Sequence, residues 1–212
     1  MKEQMSRIEE YGKVNPHRLT EEQLAALEQE ILHPRKGLIS DEYLDYRFWC
    51  RGLPSRQECF AACLKEKYLP PRKLRILEVG CGRYAGLSRL LKEMGHRMTC
   101  MDPRAEPMED GEIEVRKEAF LYESADLKDF DYVVAQEPCD GTEHIVRACV
   151  SQRVPFVIVL CGVPHEKIGG EMPGDVYEWY AYLAGIAPAH TELEYVEMYP
   201  EMGVAVIRSE GL

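Results

Sequence analysis

Positive charge is in short supply in this chain. Lys and Arg number 26 against 37 Asp and Glu, for a formal net charge of -11 over 212 residues. Broad, sequence-independent binding to nucleic acid needs clustered Lys and Arg, so the charge balance argues against that class and favours a small-molecule or protein substrate. Long apolar runs are missing too. None approaches the roughly 20 residues that span a bilayer, and the opening stretch "MKEQMSRIEEYGKV" has no apolar core of the kind a signal peptide carries. The expectation is a cytoplasmic protein with no membrane partner. There is no C-x-x-C pair, no internal repeat and no low-complexity tract. The 8 Cys lie singly within strand-like and helix-like stretches, which does not read as a disulfide framework. Cys59 and Cys63 share a helix face, with Cys50 near them in sequence. Small buried thiols are the expected reading there, and no metal is expected.

What is present is a hydrophobic share of 45%, ordinary for a chain that buries a core, and length for one full domain with a small appendage. The first third reads as helical. Thr20 and Gln23 form a capping-box pattern, after which Leu24, Leu27 and Ile31 recur on one face. Ser40 is placed to cap a second helix through "DEYLDYRFWCRG". Ser55 with Glu58 makes another capping box, and Pro70 and Pro71 stop the helix that follows. The expected division is a helical cap over 1–72 and a second domain over 73–212. Beyond Arg72, apolar strands alternate with helices: strands over 75–80, 97–102, 113–120, 130–136 and 155–161, and helices over 85–95, 141–152 and 175–185. Such continuous apolar strands imply a parallel sheet covered on both faces. Two last strands, "LEYVEMY" and "GVAVIRS", are joined by a turn too short for a parallel crossover and must form an antiparallel hairpin. The predicted fold is α/β, with a doubly wound, mostly parallel seven-stranded sheet, an antiparallel C-terminal hairpin and an N-terminal helical extension.

The stretch "ILEVGCGRYAG" (76–86) carries the most chemistry. Gly80 and Gly82 let backbone approach a ligand, and the helix after them offers free N–H groups to an anion. Asp102 closes the second strand 20 residues after Gly82 (102 minus 82), where a carboxylate accepts hydrogen bonds from both hydroxyls of a ribose. Glu78 sits just before the turn, and two carboxylates facing one crevice are awkward for packing alone. The stretch also matches the dinucleotide fingerprint G-x-G-x-x-G/A at Gly80, Gly82 and Ala85, so an NAD(P)-binding oxidoreductase is a competing reading. Three features count against it. Glu78 would lie near a pyrophosphate of like charge. The segment "PRAEPMEDGE" is too short and broken for a crossover helix. The terminal hairpin is foreign to the usual dinucleotide pattern.

From about Arg75 onward the chain resembles the class I S-adenosylmethionine-dependent methyltransferases, a Rossmann-like family. "LEVGCG" is similar to their first motif, acid-x-Gly-x-Gly. "CMD" is similar to their second acidic position, "KEAF" to the motif after strand three, and the hairpin to their strands six and seven. The run "DYVVAQEPCDGTEHIVRACV" also resembles small methyltransferase-like proteins. The resemblance implies S-adenosyl-L-methionine as cofactor and transfer of its methyl group to a small-molecule or protein acceptor. It implies that Gly80, Cys81 and Gly82 approach the methionine part and that Glu78 lies near its ammonium. It places Asp102 on the ribose, Glu118 and Ala119 at the adenine edge with Phe120 as an apolar wall, and Gln136 facing the sulfonium. Where many members carry a third glycine this chain has Tyr84, whose side chain would cover or crowd the cofactor. That departure keeps open a non-catalytic binding or scaffold protein on the same fold.

The acceptor side is expected after strand four, in "AQEPCDGTEH", which lacks the Asn-Pro-Pro-Tyr type motif of amide and nucleobase N-methylation. Glu137, Asp140 and His144 are its polar candidates, with Asp140 also placed to cap the next helix and His144 to lie on a helix face. Cys139 is a weaker candidate nucleophile. The loop over 162–175 reads as a lid or a plain surface loop, and His165 would act from it. Tyr177, Trp179, Tyr180 and Tyr182 are expected to pack a helix rather than cage a substrate. The N-terminal helices are expected to shape the acceptor pocket, where Arg47, Arg51 and Arg56 would either attract an anion or form a solvated face.

Overall fold

The computed structural model describes residues 2–14, 19, 21–33, 41–108, 113–164 and 167–210. Thr20 and Ser40, two of the expected caps, and His165 lie outside the described residues. The chain divides into two compact units, 1–59 and 60–212.

The first unit holds α1 (Lys2–Val14), α2 (Glu21–Leu32) and α3 (Asp41–Cys50), and the division falls inside α4 (Arg56–Cys63). Its small core gathers Ile8, Tyr11, Leu19, Leu27 and Tyr46, with Leu24 and Ile31 packed against them. The apolar face read from α2 is therefore the buried one. The predicted capping box forms: Glu58 accepts the Ser55 backbone N–H at 2.7 Å, and Ser55 Oγ accepts the Glu58 N–H at 3.3 Å. Arg56 donates its N–H to Asp45 at 2.9 Å and pairs with it through Nη2 at 3.5 Å. That carboxylate partner makes Arg56 a local brace of the α3–α4 turn.

The second unit is a seven-stranded sheet in the order β3-β2-β1-β4-β5-β7-β6. Its strands are β1 (Arg75–Val79), β2 (Arg97–Met101), β3 (Glu114–Arg116), β4 (Tyr132–Gln136), β5 (Phe156–Val159), β6 (Glu192–Tyr199) and β7 (Met202–Ser209). Strands β1 to β5 run parallel, while β7 lies antiparallel between β5 and β6. The sheet order starts outward from β1 in both directions, so the winding reverses beside β1 and β4. A crevice forms beyond the carboxyl ends of strands at such a point.

The helices are α5 (Gly86–Glu93), α6 (Thr142–Gln152) and α7 (Val176–Gly185). Strand period sends alternate side chains to opposite faces. Leu77 and Val79 join Val133, Phe156 and Ile158 in the main core, roofed by Ile145 and Cys149 of α6 and by Trp179 and Leu183 of α7. Ile76 and Glu78 therefore face the other way, toward α5, whose Leu87 and Leu91 are fully buried. Trp179 and Tyr180 are buried as helix packing requires, whereas Tyr177 is exposed.

Two local expectations are corrected. The third strand stops at Arg116 instead of Phe120, because β3 is the sheet edge and finds only a three-residue register with β2. Asp140 does not cap α6. A short 3-10 turn, Cys139–Gly141, precedes the helix, Gly141 occupies the cap, and Thr142 Oγ1 donates to the Cys139 carbonyl at 2.8 Å. Among the described residues, no helix is long and apolar enough to cross a membrane.

Candidate functional site

The crevice at the winding reversal is built by three turns, after β1, β2 and β4. The β1 turn begins at Gly80 (φ 75) and Gly82 (φ 67). Both adopt the left-handed region that L side chains resist. Gly80 donates its N–H to the Met101 carbonyl at 2.9 Å, tying the ends of β1 and β2 together. A Cβ on Gly80 would stand 3.0 Å from the backbone Cα of Pro138, in the β4 turn, whereas one on Gly82 would meet nothing within 4 Å. The first glycine thus closes a backbone-to-backbone contact, and the second leaves open space in front of the turn. Cys81, between them, is buried, its thiol donates to the Gly82 carbonyl at 3.4 Å, and the neighbouring Cys100 thiol together with burial pushes it well up. Only its backbone is left to face a ligand.

Tyr84, half-buried, keeps an ordinary negative φ, while Ala85 carries φ 46 and ψ 51 at the cap of α5. The backbone demand for a third glycine therefore falls one residue later than the motif suggests, and Tyr84 is under no conformational strain. A left-handed alanine costs about 1–2 kcal/mol. Ala85→Gly is expected to raise stability by about 1 kcal/mol after the added chain entropy of glycine. A urea melt checks this, and a lower midpoint would show that Ala85 is not strained.

Two carboxylates line the crevice in opposite electrostatic states. Glu78 is 3% exposed and accepts a hydrogen bond from Ser88 Oγ of α5. Burial raises its carboxyl toward about 7, the Ser88 hydroxyl and N–H oppose that, and the neighbouring charge of Asp102 adds to it. Asp102, at the end of β2, is equally buried. Burial works against its charge too, but Arg104 and the Gly82 N–H outweigh it and hold the carboxyl below its usual range. The Asp102 Oδ2 accepts from Gly82 N–H at 3.0 Å, so the glycine turn and the acid are one hydrogen-bonded unit. The chain reverses through Asp102, Pro103, Arg104 and Ala105, closed by Ala105 N–H to the Asp102 carbonyl at 3.0 Å. Asp at the first and Pro at the second position favour that turn.

The β4 turn is strained. Glu137 and Cys139 both have φ 52, and such non-glycine outliers cluster at functional sites. Glu137 donates its N–H to Val159 at 2.9 Å, and Gln136 donates from Nε2 to the Tyr199 hydroxyl at 2.7 Å, tying β4 to the tip of the β6–β7 hairpin. The Cys139 thiol is pushed well up, first by its hydrogen bond to the Cys161 thiol and then by burial. It is not an activated nucleophile.

The structure brings Glu78, Gly80, Cys81, Gly82 and Asp102 together by direct backbone pairing and hydrogen bonds. It places Gln136, Glu137 and Cys139 on the adjoining turn. Others stand apart. Phe120 is packed in the main core with Leu127 and α6, while Glu118 and Ala119 are exposed beyond the end of β3. Asp140 is exposed. The His144 Nδ1 accepts the Tyr122 N–H at 3.1 Å, which assigns it to holding the 122–124 turn. Arg104, Ser88 and Pro138 are site residues absent from the sequence reading. The D-P-R spacing was the available signal for Arg104, since an Asp-Pro turn folds the next side chain back. Among the described residues, no group of three or more His, Cys, Asp or Glu is placed to hold a metal ion.

The strand order and the antiparallel seventh strand are those of the class I methyltransferase fold, as the sequence motifs imply. No protein-family model matches the chain, and no curated protein matches it. Among solved structures it is similar to a TehB-like S-adenosylmethionine-dependent methyltransferase from Corynebacterium glutamicum, at 18% identity over 77% of this chain and 93% of that one, with a TM-score of 0.42. It is also similar to a precorrin-6y C5,15-methyltransferase from Geobacter metallireducens, at 16% identity over 84% and 93% of the two chains, with a TM-score of 0.47. Against the bifunctional kinase-methyltransferase WbdD the identity is 14% and the TM-score 0.44. The match covers 73% of this chain but spans only 37% of WbdD.

Proposed function

We propose that the chain is an S-adenosylmethionine-dependent methyltransferase acting on a small-molecule or protein side-chain acceptor. The observation that carries this reading is the unit formed by Asp102 and Gly82: a buried carboxylate at the end of β2, joined to a glycine turn with open space before it. The residues fit the group. Gly82 offers bare backbone, Asp102 offers acceptors for ribose hydroxyls, and among the described residues Glu78 is a buried carboxyl with no ion-pair partner, suited to an ammonium. S-adenosylmethionine, when bound, supplies an electrophilic methyl group on a sulfonium. The protein's part is alignment and exclusion of water. The strained turn at Glu137 and Cys139 would orient the acceptor, with Glu137 as the candidate base where the acceptor must lose a proton.

Saturating S-adenosylhomocysteine is expected to raise the melting temperature. Ligand at 100 times its dissociation constant adds about 2.7 kcal/mol. NAD and NADP are expected to leave it unchanged. Asp102→Ala is expected to weaken the homocysteine ligand at least tenfold (roughly 1.4 kcal/mol) by calorimetry. Unchanged affinity would refute the ribose assignment, and stabilisation by NAD or NADP alone would replace the cofactor.

A further inference from the structure

The acceptor places on the Asp102 carboxylate are filled from within the chain. An ionised carboxylate offers about four. Oδ1 accepts the Arg104 backbone N–H at 2.7 Å and Arg104 Nε at 3.2 Å. Oδ2 accepts the Gly82 N–H at 3.0 Å and Arg104 Nη2 at 3.3 Å. Each oxygen therefore carries one backbone donor and one guanidinium donor. The two kinds differ in how easily they leave. The backbone donors belong to the turns that build the crevice. The guanidinium ends a side chain that is 75% exposed, while the Asp102 side chain is 3% exposed. A ribose diol also brings two donors to one carboxylate, the same number as the fork of an arginine.

We infer that Arg104 is an internal competitor of the cofactor ribose, a residue that sets affinity by occupying the two acceptor places the 2′- and 3′-hydroxyls take. The inference rests on the cofactor reading above. Binding then exchanges one donor pair for another. The guanidinium swings into solvent, and the backbone donors of Gly82 and Arg104 stay in place to hold the carboxylate still. The ion pair has one exposed partner, so its hold is modest and weakens with salt.

The test is calorimetry on the full chain and on Arg104→Met, which keeps the stem and removes the fork. S-adenosylhomocysteine is expected to bind Arg104→Met about fivefold more tightly, the scale of a half-exposed ion pair. The same gain is expected with adenosine and is lost with 2′,3′-dideoxyadenosine, which brings no diol to compete. Equal or weaker binding of S-adenosylhomocysteine to Arg104→Met would overturn the competitor role, as would an equal gain for the dideoxy ligand. If neither protein bound S-adenosylhomocysteine, the cofactor reading itself would fall. That result differs from one in which wild type binds and the variant gains nothing.

Discussion

Glu78→Gln is expected to abolish most of the loss of stability that the protein suffers as the pH rises from about 5 to about 8. Burial raises this carboxyl from 4.5 to about 7 in the folded chain. Between those values the native state keeps a proton that the unfolded chain has released, so stability falls with rising pH. The contribution is complete below about pH 4.5 and is lost through about 7. At about 1.4 kcal/mol per pH unit, the loss at pH 8 is about 3 kcal/mol. Glutamine has the shape of the protonated acid and still accepts the Ser88 hydroxyl, so the variant should match wild type near pH 5 and exceed it by 2–3 kcal/mol at about pH 8. Urea melts at four pH values check this. Parallel profiles for the two proteins would mean that Glu78 is not the buried proton holder.

The two glycines of the β1 turn are expected to fail in different ways when replaced by alanine. Both have positive φ, at 75 for Gly80 and 67 for Gly82, which costs each variant about 1 kcal/mol or more. Gly80→Ala adds a contact of 3.0 Å with the Pro138 backbone, in a turn already strained on either side. Backbone cannot yield as a side-chain tip does, so a total of about 3 kcal/mol is expected, lowering the melting temperature by about 6–12 °C. Gly82→Ala meets no neighbour within 4 Å. It should fold, lose about 1 kcal/mol, and lose cofactor binding at least tenfold because its methyl fills the open space. Equal melting temperatures for the two variants would contradict the packing of Gly80 on Pro138.

Much of the fold was legible because its signals are local. Strand β5 is an unbroken apolar run, β4 is apolar up to Gln136, and β1 is buried on both faces with Glu78 as its one internal polar residue, while α5 and α6 show helical spacing. The hairpin was forced by a joining turn of a few residues. The site's β1 and β2 components were legible for the same reason: strand, glycines, helix and acid succeed one another along the chain. The rest depends on partners distant in sequence or on turn geometry. The end of β3 is decided by how far β2 offers it a register. Phe120 belongs to the core because the chain after β3 turns back beneath α6. Asp140 looked like a cap, but the intervening 3-10 turn moved the helix start past it. The left-handed position of the turn falls on Ala85, one residue after the Tyr84 that stands where the motif has its third glycine, because one more residue of the turn completes before α5 begins. Arg104 could not be assigned to Asp102 from composition, since the pairing needs the Asp-Pro turn to close.

The most direct test of the account is titration of the full chain with S-adenosylhomocysteine at pH 7, by calorimetry in two buffers of different ionisation heat. An ammonium arriving beside Glu78, half-protonated near about 7, lowers its pKa and expels about half a proton. Binding is expected, with an apparent heat that differs between the buffers by that fraction of their ionisation heats. Absence of binding heat and of thermal stabilisation in both buffers would contradict it.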